Sequence, residues 1–312
     1  MKSSDISVIV PLYNKAAEIE RALLSVVSQR AVPCETLVVD DGSTDGGGDI
    51  AERFAAAHPE ANIRVIRQPN GGVSAARNRA IAEAKGEYAA LLDADDCWTP
   101  EHLSDLADLS ERYPDCTLYA SSFSVNDGRR TVAGDTPQCA GRVDFFAVSL
   151  RGYAVIPSSA VLRREDVIAA GGFPEGMRMG EDQYLWVKLA RRGAVALSPA
   201  RTAIYSKAAS NRSAAIYRPE VCRFSFEDLL AGASGDAERE YIARAALGKA
   251  LTASAKGGTD EARRALTAFG YTRHNRRAWL KLRAVNALPV SWRQPLLNIY
   301  NTLAWVLARK GL

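Results

Sequence analysis

The 312-residue chain has no aspartate or glutamate after Glu261, although Arg263, Arg264, Arg273, Arg276, Arg277, Lys281, Arg283, Arg293, Arg309 and Lys310 all follow it. Of 40 basic and 36 acidic side chains, the part up to Glu261 therefore holds 30 and 36, a balance of −6 beneath the overall +4. The sequence reads as an acidic body with a basic tail. Cysteine is sparse: Cys34, Cys97, Cys116, Cys139 and Cys222 are odd in number, scattered, and form no Cys-x-x-Cys pair. That argues against a disulfide framework or a zinc knuckle and leaves reduced thiols in a cytoplasmic compartment as the expectation. Met1-Lys2-Ser3-Ser4-Asp5 leads straight into a strand-like run without the apolar stretch of a secretory signal, and no uninterrupted apolar segment reaches bilayer-spanning length. Both nucleotide-binding glycine motifs are missing, since the first strand-like run is followed by Pro11-Leu12-Tyr13-Asn14-Lys15. A nicotinamide oxidoreductase and an ATPase are disfavoured, and no nucleic-acid partner is expected. His58, His102 and His274 lie beside none of the motifs below and read as surface or helix residues rather than ligands.

What is present is an ordinary packed composition, 47% hydrophobic, with room for roughly two domains. Ile6-Ser7-Val8-Ile9-Val10, Thr36-Leu37-Val38-Val39, Ile63-Arg64-Val65-Ile66 and Tyr88-Ala89-Ala90-Leu91-Leu92 read as strands. Between them lie helical patterns, with Ile19, Leu23, Val26 and Val27 on one face, then Ile50, Ala51 and Phe54, then an Ala-rich run from Val73 to Ala84. This alternation predicts a doubly wound, mostly parallel α/β sheet with helices on both faces. Beyond residue 115 the pattern is irregular, with strand-like runs over Leu118–Val125 and Ala160–Leu162, and is expected to be α+β decoration over that sheet.

Chemistry concentrates in Leu91-Leu92-Asp93-Ala94-Asp95-Asp96, carboxylates set on the end of a buried strand, where open α/β sheets bind ligands. If Asp93–Asp95 stay extended, residues two apart share a side and both carboxylates can face one hard divalent cation. The competing reading is loop chemistry before a helix starting near Pro100. Asp40-Asp41 closes the second strand and Tyr13 follows the first, so a nucleotide base stacked on Tyr13 and a ribose or ring N–H donating to Asp40 or Asp41 is one reading; a turn and a loop aromatic is the other. Glu181 and Asp182 open a helix running to Arg192, where the dipole favours carboxylates and would keep Asp182 ionised as a proton acceptor; capping alone also accounts for the pair.

Ser7-Val8-Ile9-Val10-Pro11-Leu12-Tyr13-Asn14-Lys15, Val38-Val39-Asp40-Asp41-Gly42-Ser43-Thr44-Asp45, Asn70-Gly71-Gly72-Val73-Ser74-Ala75-Ala76-Arg77-Asn78, Gly86-Glu87-Tyr88, Leu92-Asp93-Ala94-Asp95-Asp96 and Gly171-Gly172-Phe173 with Gly180-Glu181-Asp182, in this order, resemble the family 2 glycosyltransferases, an inverting group with the GT-A fold. The resemblance covers roughly residues 5 to 195. It implies that Pro11, Tyr13 and Asp41 (with Asp40) contact base and ribose of a nucleotide-sugar donor, that Arg77 lies near the diphosphate, and that Asp93 and Asp95 are an Asp-x-Asp pair holding Mn²⁺ or Mg²⁺. Asp182 is similar to the catalytic base, with Glu181 on the acceptor side. The processive members' Gln-x-x-Arg-Trp element is missing, which implies a non-processive enzyme.

The resulting expectation is a catalytic domain over 1–215, with a donor half (1–115) and an acceptor half (116–215), followed by a basic, mainly helical region over 216–312. The function expected is transfer of one sugar, from a UDP-sugar, to a glycan or lipid-linked acceptor in surface polysaccharide assembly. A sugar nucleotidyltransferase, or a non-catalytic nucleotide-sugar-binding subunit, stands as the alternative. In the tail, Leu296, Ile299, Tyr300, Leu303, Val306 and Leu307 recur at helical spacing after Pro295, a fitting helix start, and Trp279, Trp292 and Trp305 lie among the uncompensated positive charges. Such a segment suits an anionic membrane surface, or alternatively packs on the catalytic domain with its arginines solvated.

Overall fold

Strand β1 (Ile6–Leu12) lies at the centre of a sheet, because Ile6, Val8, Ile9, Val10 and Leu12 are wholly buried and demand cover on both faces. The computed structural model describes residues 1–208 and 222–309, with 301–309 by backbone alone. It divides into two compact units, Met1–Arg212 and Ser213–Leu312; the expected boundary at 215–216 lies outside the described residues.

In the first unit β1 is followed by α1 (Ile19–Val27), β2 (Glu35–Asp40), α2 (Gly47–Ala57), β3 (Ile63–Arg67), α3 (Val73–Glu83) and β4 (Tyr88–Leu91). Strands β2 and β4 both pair parallel to β1, and β3 pairs parallel to β2, so the order β3-β2-β1-β4 reverses direction at β1. Ligand crevices form outside the carboxyl ends of strands at such a switch point. Helix α1 turns Ile19, Leu23 and Val26 inward as the spacing in the sequence predicts, joined by Ala22, while Val27 is half-buried.

The remaining elements are β5 (Cys97–Trp98), α4 (His102–Arg112), β6 (Cys116–Asn126), β7 (Thr131–Ala133), β8 (Gly141–Val143), α5 (Phe145–Ser149), β9 (Ala160–Arg163), α6 (Arg164–Ala169), α7 (Glu181–Arg192) and β10 (Ala194–Ser206). They do not decorate the sheet; they continue it, in the order β4-β9-β6-β10-β5. Strand β9 runs antiparallel between β4 and β6, and β6 and β10 are parallel. The side chains of β6 and β9 are buried almost throughout, which a sheet interior provides. The helix expected near Pro100 begins at His102. His102 itself is fully buried, stacked on Trp98 at 4.4 Å between ring centroids, with Nδ1 2.8 Å from Thr202 Oγ1.

In the second unit, α8 (Asp236–Ala255) packs against α9 (Thr259–Ala268), α10 (Arg276–Ala287) and α11 (Val290–Arg309). Ala243, Ala246, Leu247, Ala250 and Ala253 put buried residues around much of α8, as suits a central helix. Pro295 lies inside α11 rather than at its start. The proline at the entrance is Pro289, whose carbonyl accepts from Trp292 N at 2.9 Å. Arg293 does not join a solvated basic face: it is buried, donating to Leu288 O, Asn286 O, Ser254 O and Oγ, and Thr259 Oγ1 at 2.9–3.2 Å. Carbonyls at the ends of α8 and α10 thus neutralise it by dipoles rather than by a carboxylate.

Before α7 the chain turns through Gly171 and Gly172, both at positive φ, and Asn78 of α3 grips the next residue by accepting from Phe173 N (2.8 Å) and donating to Phe173 O (2.9 Å). A Cβ on Gly172 would lie 2.6 Å from Asn78 Oδ1 at φ +71°, whereas Gly46, at φ +83°, has nothing within 4 Å. We expect Gly46→Ala to cost about 1 kcal/mol and Gly172→Ala about 2–4 kcal/mol, measured by urea denaturation. Equal losses would show that Asn78 yields freely and is no clamp.

Candidate active site

The residues singled out in the sequence converge beyond the carboxyl ends of β1, β2 and β4, with α7 entering from the later part of the first unit. At β2, Asp40 accepts from Ser43 N at 2.9 Å, which folds the turn after the strand. Asp41 is buried and its carboxylate accepts from Gln68 Nε2, Gly71 N and Gly72 N, each at 2.8 Å. The aspartate thereby anchors the Asn70-Gly71-Gly72 turn from which α3 starts. Asn14, at φ +51°, accepts from Thr44 N at 2.8 Å and donates its own N–H to Ser43 Oγ at 3.0 Å, which ties the loop after β1 to the loop after β2. Pro11 is the β1 partner of Val39, and Tyr13, one residue beyond the end of β1, is 38% exposed.

The Asp93–Asp95 segment is not extended. Asp96 N donates to Asp93 O at 2.9 Å and closes a turn, so the carboxylates are not placed by strand alternation. Asp93 Oδ1 accepts from Arg77 Nη2 at 2.6 Å, while Asp95 Oδ2 lies 2.8 Å from Lys15 Nζ and its carbonyl accepts from Arg21 Nη2 at 2.5 Å. The turn is pinned from below: Ser158 Oγ donates to Asp96 Oδ2 (2.6 Å) and accepts from Asp93 N (3.1 Å), and Asp96 Oδ1 accepts from Ser206 N (2.8 Å). Burial, then the negative charge of Asp93, raises the Asp95 carboxyl; burial, then Asp93 and Asp95, raises Asp96 well above the usual range.

Helix α7 brings the opposite wall. Glu181 Oε1 accepts from Arg77 Nη1 at 3.0 Å, and Asp182 follows it in the first turn, accepting from Gln183 N at 2.8 Å. Asp182 is pushed up to about 7, first by burial and then by Glu181, against the lowering pull of the Gln183 N–H and Arg77. The helix dipole therefore does not hold Asp182 at an ordinary carboxylate value: desolvation outweighs it, and the group is poised to exchange a proton near neutrality. Arg77 and Lys15 face a larger number of carboxylates, an arrangement that favours a further cation. Among the described residues no three His, Cys, Asp or Glu side chains form a closed metal cage. Asp93 and Asp95, whose side chains are 28% and 19% exposed, supply the oxygen-donor chemistry that suits Mg²⁺ or Mn²⁺ at phosphate-bearing sites.

A model of the glycosyl transferase family 2 matches residues 7–168, just over half of the chain. The chain belongs to that family. An uncharacterized glycosyltransferase of Rickettsia conorii is 29% identical over 198 residues, 62% of this chain and 32% of that protein. A Mycobacterium tuberculosis protein is 31% identical over 209 residues, 64% of this chain and 58% of that one. The chain thus spans from about a third to somewhat over half of the length of these curated relatives. S. aureus TarS 1–349 in complex with UDP-GlcNAc superposes with a TM-score of 0.65 at 21% identity, covering 94% of this chain and 84% of that one. A mannosyltransferase from Pyrobaculum calidifontis in complex with GDP-Man and Mn²⁺ gives 0.51 at 23% identity, covering 96% and 80%. The fold of this family 2 member is GT-A.

Residue roles that the sequence left unassigned are those of Lys15, Arg21, Asn78, Ser158 and Phe173. Lys15, Asn78 and Phe173 stood inside the quoted motifs, but their partners are 80, 95 and 95 residues away in sequence, and no local pattern carries that pairing. Asp41 offers the clearest stability test. Asparagine keeps one acceptor and turns an N–H₂ toward backbone donors, so Asp41→Asn is expected to lower stability by about 1–3 kcal/mol in chemical denaturation. An unchanged midpoint would mean that the carboxylate does not anchor the Gly71-Gly72 turn.

Proposed function

We propose that this protein is an inverting, non-processive glycosyltransferase that moves one sugar from a nucleotide-diphosphate sugar, a UDP-sugar by preference, to a hydroxyl of a glycan or lipid-linked acceptor in surface polysaccharide assembly. The observation that carries the reading is the pair of carboxylate walls: Asp93 and Asp95 on one side, Asp182 with a proton affinity near neutrality on the other. The relatives named glycosyltransferase, and the UDP-GlcNAc and GDP-Man bound by TarS and the Pyrobaculum enzyme, support the donor class.

In this reading Tyr13 stacks on the base, and Pro11, Asp40 and Asp41 shape the base and ribose subsite. Asp93 and Asp95 would hold Mn²⁺ or Mg²⁺, whose chemistry at the diphosphate is Lewis-acid neutralisation of departing charge. Asp182 takes the proton of the acceptor hydroxyl; the oxygen attacks the anomeric carbon from the face opposite the diphosphate. The glycosidic C–O bond to phosphate breaks with its electron pair leaving on the nucleoside diphosphate. A single displacement inverts the anomeric configuration.

A thermal-shift panel of UDP- and GDP-sugars with Mn²⁺ tests the donor class, and kinetics on the best binder test the base. Asp182→Asn is expected to retain donor binding and lose about 10²-fold or more in turnover. The wild-type kcat/KM should climb as pH rises through about 7 and level off above it, since the base must be ionised and burial with Glu181 raises it to about 7. An Asp182→Asn enzyme with normal turnover overturns the assignment of the base.

The proposal extends to peripheral contact with an anionic membrane through the second unit. No described helix is long and apolar enough to cross a membrane. On α11, Trp292, Leu296, Ile299 and Tyr300 form one stripe and are 62%, 39%, 55% and 55% exposed, with Lys281 Nζ 4.0 Å above the Tyr300 ring. Trp305, Leu303, Val306 and Leu307 have side chains outside the described residues. Exposed aromatics beside Lys and Arg, with no acid after Glu261, match a negatively charged lipid surface in which each nearby cation contributes about 1 kcal/mol. Full-length protein is expected to co-sediment with phosphatidylglycerol-rich vesicles at low salt, to release at high salt, and to bind weakly once Trp292 and Ile299 are both changed to Ser. Indifference of the wild type to such vesicles would remove the membrane from the proposal.

A further inference from the structure

Resting on the reading of this crevice as a transfer site, Arg77 admits a sharper account than a general positive charge near phosphate. It is 2% exposed, and each terminal nitrogen is occupied by a different wall: Nη2 by Asp93 Oδ1 at 2.6 Å and Nη1 by Glu181 Oε1 at 3.0 Å. The Phe173 ring lies beside the guanidinium with its centroid 5.0 Å from Cζ, and Nε is buried without a hydrogen-bond partner. No edge of the fork is left facing open crevice, so a phosphate could reach it only by displacing a carboxylate. The next residue, Asn78, grips Phe173 through both backbone polar groups, fixing the loop that leads to Gly180. Consecutive side chains of α3 therefore hold the donor-side turn and the entrance of α7. The N-terminus of α3 is in turn fixed through Gly71 N and Gly72 N to Asp41 at the end of β2.

We infer that Arg77 is a positioning residue, a buried two-armed brace that sets Asp93 against Glu181 and, through Glu181, places the adjacent Asp182 opposite the donor. The planar guanidinium fork is the feature required: two rigid donors at a fixed angle bridge two carboxylates, which the single ammonium of lysine does not. The brace acts on geometry, and displacement of a catalytic group by about 1 Å costs roughly 10²-fold in rate.

The test compares the wild type with Arg77→Lys and with Glu181→Ala, which removes the acceptor of one arm and leaves the Asp93 pairing intact. Calorimetry with UDP, and in parallel GDP, in Mn²⁺ reads nucleotide binding; release of UDP from UDP-GlcNAc in Mn²⁺ reads turnover. Amide hydrogen exchange over residues 93–96 and 181–185 reads the brace without any ligand. Both variants should bind nucleotide within about threefold of wild type while turnover falls by about 10²-fold. Arg77→Lys should speed exchange in both segments and leave β1 and β2 protected; Glu181→Ala should speed it in 181–185 alone. Wild-type turnover in Arg77→Lys, or a loss of nucleotide affinity that accounts for all of the lost turnover, would assign Arg77 to charge at the diphosphate and overturn the brace. Unchanged exchange in both segments of Arg77→Lys would overturn it as well. A wild type that neither binds these nucleotides nor releases UDP would count against the transfer reading, and the exchange data would still decide the brace. If Arg77→Lys fails to fold, Glu181→Ala decides: normal turnover with normal exchange rejects the inference.

Discussion

Concentrated negative charge is the constraint to which the first unit is built. Asp93, Asp95, Asp96, Glu181 and Asp182 interact through space in a partly desolvated crevice, and their mutual repulsion favours dispersal. What holds them is a set of directed contacts of different kinds: a buried guanidinium, a lysine, a serine hydroxyl that both donates and accepts, and a backbone N–H at the end of β10. Buried ion pairs of this sort add little net stability once desolvation is counted, yet removing one partner is costly because it strands the other. Their value lies in fixing position.

The elements legible in the sequence are those whose burial is complete and local. Strands β1, β2 and β4 are central and parallel, so they read as unbroken apolar runs, and α1 shows its inward face at helical spacing. Strands β6, β9 and β10 were harder, because their place in the sheet is set by partners far along the chain and by an antiparallel insertion that no local pattern announces. The chemistry shows the same division. Residue type and the strand-end position pointed to Asp93, Asp95 and Asp182; the turn that replaces the expected extended segment, and the cations that meet each carboxylate, depend on contacts spanning 80 residues or more for Lys15 and Glu181.

The second unit illustrates how a charge count misleads without geometry. Ten basic residues follow the last acid in sequence, but Arg293 is spent inside, tying together the ends of α8 and α10, and Arg263 pairs with Asp260 at 3.2 Å. A proline signal was likewise sound in kind and misplaced in position, since Pro289 and not Pro295 stands at the entrance of α11. In both cases the residue type carried correct physics, and only the fold decided where it was exercised.

Beneath the carboxylate turn, the stacked pair of Trp98 and His102 separates two responses to acid. The His102 ring is depressed to about 3 by burial alone, so it stays neutral in the folded protein throughout the physiological range. An unfolded chain would protonate the same ring below about 6.5, so stability falls as acidity increases from that point toward 3, where the folded state begins to take up the proton too. Asp182, by contrast, is raised by burial and by Glu181 to about 7 and changes charge near neutrality. The two groups thus answer the same acid in opposite senses: the carboxyl gains a proton within the folded state, whereas the imidazole favours the unfolded chain in which it can be protonated.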